Sequence, residues 1–221
     1  MGTEGAIKGL YGMIDRSASP QRSHREIAEA LVRAGVRVLQ LRNKEASDDE
    51  LRELIENILP LTSASGAQLI LNDRLHIAAE FPQVGVHLGQ EDASPHEARE
   101  LLGDGVLIGK STHTLDQVIS AHRLPIDYVG FGPIFTAAGK HRSRGDQREP
   151  MNSRGTKELA EAVRFSTLPI VAIGGINEDN LQDVLETGVI GVAAIGAITC
   201  ADDMMQAAHR MHRRCQLGRG L

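Results

Sequence analysis

The sequence predicts a single (β/α)8 barrel, and three observations carry the prediction. Eight short apolar runs alternate strictly with eight amphipathic stretches along 221 residues. The runs are rich in Val, Ile and Leu and barely alternate with polar residues, as strands covered on both faces of a parallel sheet do. The first run is followed by "DRSASPQRS", without the glycine loop that announces a doubly wound open sheet. Each parallel crossover needs a helix, and eight such units at this length close into a barrel.

Taken in order, the strands are expected at 10–14, 36–41, 67–71, 84–88, 106–109, 127–131, 169–173 and 192–196. The first helix starts on Ser23, has Glu26 three residues on as a capping box, and stops at Gly35. The second starts on Ser47 with acidic residues in its first turn, where the helix dipole favours them. "DRLHIAAEF" is a shorter helix. The fourth has Ser94 as its cap and Pro95 at the first helical position. "TLDQVISAHRL", "TKELAEAVRF", "NEDNLQDVLETG" and "ADDMMQAAHRMHRR" repeat the pattern. The whole of 1–221 reads as one domain, with an irregular loop at about 139–155 and a tail from about 215.

Composition removes several classes of function. A formal charge of −5 with mixed signs does not suit a nucleic-acid or anionic-membrane surface. Aromatics at 3 %, with no Trp, leave no stacking platform for single strands. The longest apolar run, "VIGVAAIGAI", is too short and glycine-rich to span a bilayer. Cys200 and Cys215 do not make a disulfide framework, so a reducing cytoplasm is the expected setting. Whether the barrel forms a homo-oligomer stays open.

In a barrel, chemistry belongs at the C-terminal ends of the strands. The second strand ends in Gln40, Arg42 and Lys44 at alternating positions, the third in Asn72, Asp73 and Arg74. The fourth ends in His87, Gln90, Glu91 and Asp92, the fifth in Lys110, Ser111 and His113. The sixth runs into a glycine loop leading to Lys140. The seventh and eighth end in "IGGI" and "AAIGA", nearly bare backbone that lets main-chain N–H groups approach an anion. One end of the mouth therefore suits a phosphate monoester. The other sets Asp73 and Asp92 among Arg42, Lys44 and Lys140, a donor set for Mg²⁺ with a polyphosphate. Plainer roles compete: Asp73 and Asp92 also suit helix caps, and His87 suits a satisfied core position. His209 and His212 read as part of a solvated last helix.

The same stretches form a family pattern. "QLRNK" (40–44), "LNDRLHIA" (71–78), "GVHLGQED" (85–92), "IGKSTHT" (108–114), "DYVGFGPIF" (127–135), "PIVAIGGI" (169–176) and "GVAAIGAI" (191–198) occur in order over roughly 10–210. With them the chain resembles the thiamine phosphate synthase family. The resemblance implies a single (β/α)8 barrel that joins hydroxymethylpyrimidine diphosphate to a thiazole phosphate and releases diphosphate. It implies Asp73 and Asp92 as Mg²⁺ ligands. It implies Gln40, Arg42, Lys44, Asn72, Ser111 and Lys140 as contacts to the pyrimidine diphosphate, with Arg42, Lys44 and Lys140 stabilising the departing charge. Gly175, Ile195 and Gly196 become the backbone cradle of the thiazole phosphate. The reaction expected of the family is dissociative, so no nucleophilic Ser or Cys is needed.

One segment departs from the pattern. The family's Thr-x-Thr-Lys run is replaced by Ala137, Ala138, Gly139 and Lys140. Two lost hydrogen bonds to a charged ligand cost about 1.5–3 kcal/mol each where nothing replaces them. Arg142 and Arg144 in the basic stretch that follows are candidates to replace them from a lid, against the alternative of an ordinary surface loop. Two other readings remain. TenI-like thiazole tautomerases share the barrel but tend to lose the carboxylates and to carry a histidine at the place of Pro133. A non-catalytic protein that binds thiamine-pathway phosphates is the third.

Overall fold

A computed structural model of the chain describes residues 7–136 and 152–218. Eight parallel strands close into a barrel in sequence order. They are β1 (Gly9–Ile14), β2 (Val38–Leu41), β3 (Gln68–Asn72), β4 (Val84–Leu88), β5 (Ile108–Thr112), β6 (Tyr128–Phe131), β7 (Ile170–Ile173) and β8 (Gly191–Ala194). The seam is closed by β1 pairing with β8, Gly9 opposite Gly191 and Gly12 opposite Ala194.

The helices between them are α1 (His24–Arg33), α2 (Asp48–Ser65), α3 (Leu75–Ala78), α4 (Pro95–Leu102), α5 (Leu115–Ala121), α6 (Gly155–Phe165), α7 (Leu181–Leu185), α8 (Gly196–Thr199) and α9 (Met204–Leu217). Their starts follow the sequence. Ser23 accepts from the Glu26 N–H at 3.1 Å, and Glu26 accepts from the Ser23 N–H at 2.7 Å. Ser47 and Glu50 make a second reciprocal box, and each such cap is worth about 1 kcal/mol. Gly66 ends α2 at φ 70°, a left-handed turn that returns its N–H to Ser63. On α1, Ile27, Ala28, Ala30 and Leu31 are buried, as is the C-cap residue Ala34. Full burial of each large aliphatic is worth about 1.5–3 kcal/mol.

Two cores result. The larger lies between strands and helices. The smaller fills the barrel itself and includes Tyr11, Met13, Val38, Ile70, Leu107, Tyr128 and Val171. Glycine makes room inside. A Cβ on Gly109 would stand 2.1 Å from Tyr128 Cζ and 2.6 Å from His87 Nδ1. Only a residue without a side chain lets those two rings meet there.

Beyond shifts of a few residues at element ends, such as β5 at Ile108–Thr112, the structure departs from the sequence reading in four places. β8 stops at Ala194, and the one-turn α8 follows it, so the alternation is not strict. The helix expected over "NEDNLQDVLETG" shrinks to Leu181–Leu185, because Asn177 Oδ1 accepts from the N–H groups of Asp179 and Asn180 and holds a turn instead. α9 continues past 215 to Leu217, and its own Cys215 is buried. His212 is not solvated: it is buried over Gly9, and its Nδ1 accepts from the Leu10 N–H at 3.4 Å. No helix among the described residues is long and apolar enough to cross a membrane.

Candidate active site

The C-terminal ends of β1–β5 gather the charged residues. Arg42, just past β2, forms an ion pair with Asp15, just past β1. The Asp15 side chain is 3 % exposed and that of Arg42 15 %, so this pair is shielded from water. Asp15 Oδ1 also accepts from the Ser17 N–H at 2.7 Å. Asp15 was not expected in the site. Its position directly after the first strand was the available signal. A cavity of ≈ 470 Å³ opens here, lined among others by Asp15, Arg16, His24, Arg42 and Lys44. Burial, with the Arg16 cation beside it, lowers His24 to about 4, and Asp15 pulls the other way.

Asp73 follows β3 in a left-handed backbone conformation, φ 65°. It is the non-glycine residue in this state among those described, a conformation that Asp tolerates better than most. It does not cap α3, whose N-cap is Arg74 without a side-chain bond. Its carboxyl instead interacts with that of Asp92, which follows β4. Burial first, and then the Asp92 carboxyl, push Asp73 up to about 6, against the pull of Lys44 and Arg42. Asp92 Oδ2 accepts from the Gly89 N–H at 2.6 Å, while Ser94 caps α4. The two acidic residues and the two cations from β2 thus share one mouth. Lys110 Nζ donates to the Gly89 carbonyl at 2.7 Å. Burial lowers the Lys110 pKa, and Asp92 opposes that.

Gln40 and Ser111 enter from inside the barrel. Gln40 is buried and its Nε2 donates to Tyr11 Oη at 2.9 Å. Ser111 Oγ is 3.0 Å from His87 Nε2. His87 is buried, and burial, with Lys110 nearby, lowers it to about 4. His87 is the satisfied core histidine that its apolar neighbours suggested. Asn72 ends β3 opposite His87 and is half-buried.

The family model described as thiamine monophosphate synthase matches residues 10–198. The chain belongs to the thiamine monophosphate synthase family. It is 38 % identical over 202 residues to the thiamine-phosphate synthase of Chloroflexus aurantiacus, covering 91 % of this chain and 90 % of that one. To the thiamine-phosphate synthase of Natronomonas pharaonis it is 39 % identical over 204 residues, 92 % of each chain. The solved thiamine phosphate pyrophosphorylase of Pyrococcus furiosus superposes with a TM-score of 0.83 at 30 % identity, covering 98 % of this chain and 99 % of that one.

The remaining positions expected from the thiamine monophosphate synthase pattern divide in two. Gly175, at φ 64° after β7, packs so that a Cβ would stand 2.7 Å from the Phe135 carbonyl oxygen. Asn180 Nδ2 donates to the Gly175 carbonyl at 3.0 Å. Ile195 and Gly196 start α8, half-buried. Ala137, Ala138, Gly139 and Lys140, with Arg142 and Arg144, lie outside the described residues. His113, also named from the sequence, is held by the Gly132 carbonyl at 2.8 Å from its Nδ1.

The raised Asp73 pKa has a consequence for stability. The folded protein keeps a proton there, between 3.8 and about 6, that the unfolded chain gives up. This site's contribution to stability is therefore full below the unfolded value and is lost as pH rises through the folded one. In metal-free buffer, Asp73→Asn is expected to gain thermal stability relative to the parent as pH rises from about 4 to about 7. Thermal melts of both proteins across that range check it; a constant difference between them would contradict it.

Proposed function

We propose that the protein is a thiamine phosphate synthase that joins hydroxymethylpyrimidine diphosphate to a thiazole phosphate with release of diphosphate. The observation that carries the reading is the meeting of Asp73 and Asp92, from two different strand–helix units, beside Arg42 and Lys44. The half-buried Asp73 carboxyl and the exposed Asp92 carboxyl repel where they meet unless a proton or a cation stands between them. Their donor set fits Mg²⁺, which takes one or two carboxylates and completes its octahedron with water and phosphate oxygens. No group of three or more His, Cys, Asp or Glu suited to a metal occurs among the described residues, and this reading needs none. Asp73 and Asp92 would hold the ion, which supplies charge neutralisation at the diphosphate.

The chain's own groups do the rest. Arg42, oriented by Asp15, and Lys44 bind the diphosphate oxygens and stabilise the charge that grows on them as the C–O bond breaks. Lys140 is assigned the same role by its place in the family pattern. Gln40, Asn72 and Ser111 hold the pyrimidine diphosphate. The backbone at Gly175, Ile195 and Gly196 takes the thiazole phosphate, whose ring nitrogen captures the pyrimidine-methyl cation. The thiazole tautomerase reading is weaker, because both carboxylates are present and Pro133 stands where that branch tends to carry a histidine.

Diphosphate release tests the proposal. It is expected from the pyrimidine substrate only when thiazole phosphate and Mg²⁺ are both supplied, with thiamine phosphate as the product. Conversion of the thiazole phosphate alone would favour the tautomerase. Turnover of neither substrate would leave a binding protein.

A further inference from the structure

We infer that five side chains crossing the barrel interior form a one-way hydrogen-bond chain that turns the Ser111 hydroxyl into a donor toward the mouth. The chain runs from Gln40 Nε2 to Tyr11 Oη at 2.9 Å, and from Tyr11 Oη to Tyr128 Oη at 2.7 Å. It continues from Tyr128 Oη to His87 Nδ1 at 3.0 Å, and from His87 Nε2 to Ser111 Oγ at 3.0 Å. The two tyrosines are the only ones in the sequence, and both stand inside the barrel.

With Gln40 Nε2 facing Tyr11 Oη, proton bookkeeping fixes the direction. Gln40 Nε2 donates to Tyr11 Oη. The one Tyr11 hydrogen then has Tyr128 Oη as its partner, and the Tyr128 hydrogen goes to His87 Nδ1. A neutral His87 that accepts at Nδ1 carries its own hydrogen on Nε2, and this donates to Ser111 Oγ. With an Oγ lone pair taken, the Ser111 hydrogen is left for a ligand. A hydrogen on His87 Nδ1 would reverse the two tyrosines. The Tyr11 hydrogen would then have no acceptor, unless the Gln40 amide also turned over. The two self-consistent states are therefore opposite in every link. Only the first offers Ser111 as a donor to an anion, with the Gln40 carbonyl kept as an acceptor.

Tyr11, Tyr128 and His87 are positioning residues: they are buried in the barrel and act through the two side chains at the ends of the chain. Gly109 is the structural condition for this, since any side chain there would displace Tyr128 and His87. The inference rests on the reading of Gln40 and Ser111 as pyrimidine diphosphate contacts, and its test is separable from that reading. Long-range ¹H–¹⁵N correlation spectra of the ¹⁵N-labelled full chain at neutral pH report which His87 nitrogen bears the proton. The His87 signals are assigned by their loss in His87→Gln. A proton on Nε2 is expected, and a proton on Nδ1 overturns the inference whether or not the protein is active. A second arm uses Tyr128→Phe, with Tyr11→Phe beside it should the first fail to fold. Either substitution cuts the chain, so His87 is expected to populate both tautomers. Pyrophosphate affinity in the presence of Mg²⁺ is expected to fall about tenfold. An unchanged tautomer together with unchanged affinity would overturn the directional role. Nε2 protonation in a protein that releases no diphosphate would instead count against the enzymatic reading and leave the chain in place.

Discussion

Replacing Asp92 with Asn is expected to lower kcat/KM for thiamine phosphate formation by about 10²–10³-fold, with the apparent Mg²⁺ requirement shifted to higher concentration. Asp73→Asn is expected to do the same. The reason lies in the electrostatics of the mouth. Asp73 is half-buried and faces Asp92, so the Asp73 carboxylate does not keep its charge cheaply without a counter-ion. In the proposed reaction a divalent ion would supply it and would be shared with the diphosphate. An amide keeps the shape and loses the charge, so folding survives while binding of the ion weakens. Steady-state kinetics at several Mg²⁺ concentrations, with circular dichroism to confirm folding, make the measurement. Activity within tenfold of the parent in both variants would remove the ion-sharing account.

The second large effect is on stability. Arg42→Ala is expected to destabilise the fold by about 3 kcal/mol, or roughly 6–12 °C in Tm. The substitution leaves the Asp15 carboxylate buried, with the Ser17 N–H donating to it among the described residues. An uncompensated buried charge costs far more than the pair itself contributes. Adding Asp15→Asn to Arg42→Ala is expected to recover much of the loss, so a double-mutant cycle should show strong coupling. Asp15→Asn alone is expected to cost less stability but to reduce diphosphate binding, because Arg42 would lose the partner that orients it. Chemical denaturation of the four proteins reads the coupling. Additive effects would mean that the ion pair is incidental.

The architecture was legible because each element carries its own signal. Uninterrupted runs such as "VGVHL" mark strands covered on both sides, and Ser23, Ser47, Ser94 and Thr114 mark helix starts where the structure has them. Placing chemistry at strand ends was enough to put Arg42, Asp73 and Asp92 at one end of the barrel. Partnerships across the barrel were not legible. Periodicity says which face a residue takes, not what it meets from another strand. Asp15 looked like the start of a polar loop, yet it neutralises Arg42. Tyr11 and Tyr128 looked like ordinary strand residues, yet they join in the interior because Gly109 leaves the space. His212 looked solvated among arginines, and only the path of α9 beneath β1 buries it. The short α8 was missed because "AAIGA" reads as a continuing strand until the chain turns at Ile195.

The seam between the first and the eighth strands has a consequence for how the protein is made. β1 pairs on one side with β8, and α9 lies across it with His212 against Gly9 and Leu10. A nascent chain on the ribosome therefore holds its first strand without a neighbour on that side until residues 191–217 have left the exit tunnel. Until that seam closes, β1 offers an unpaired edge open to non-native strand pairing.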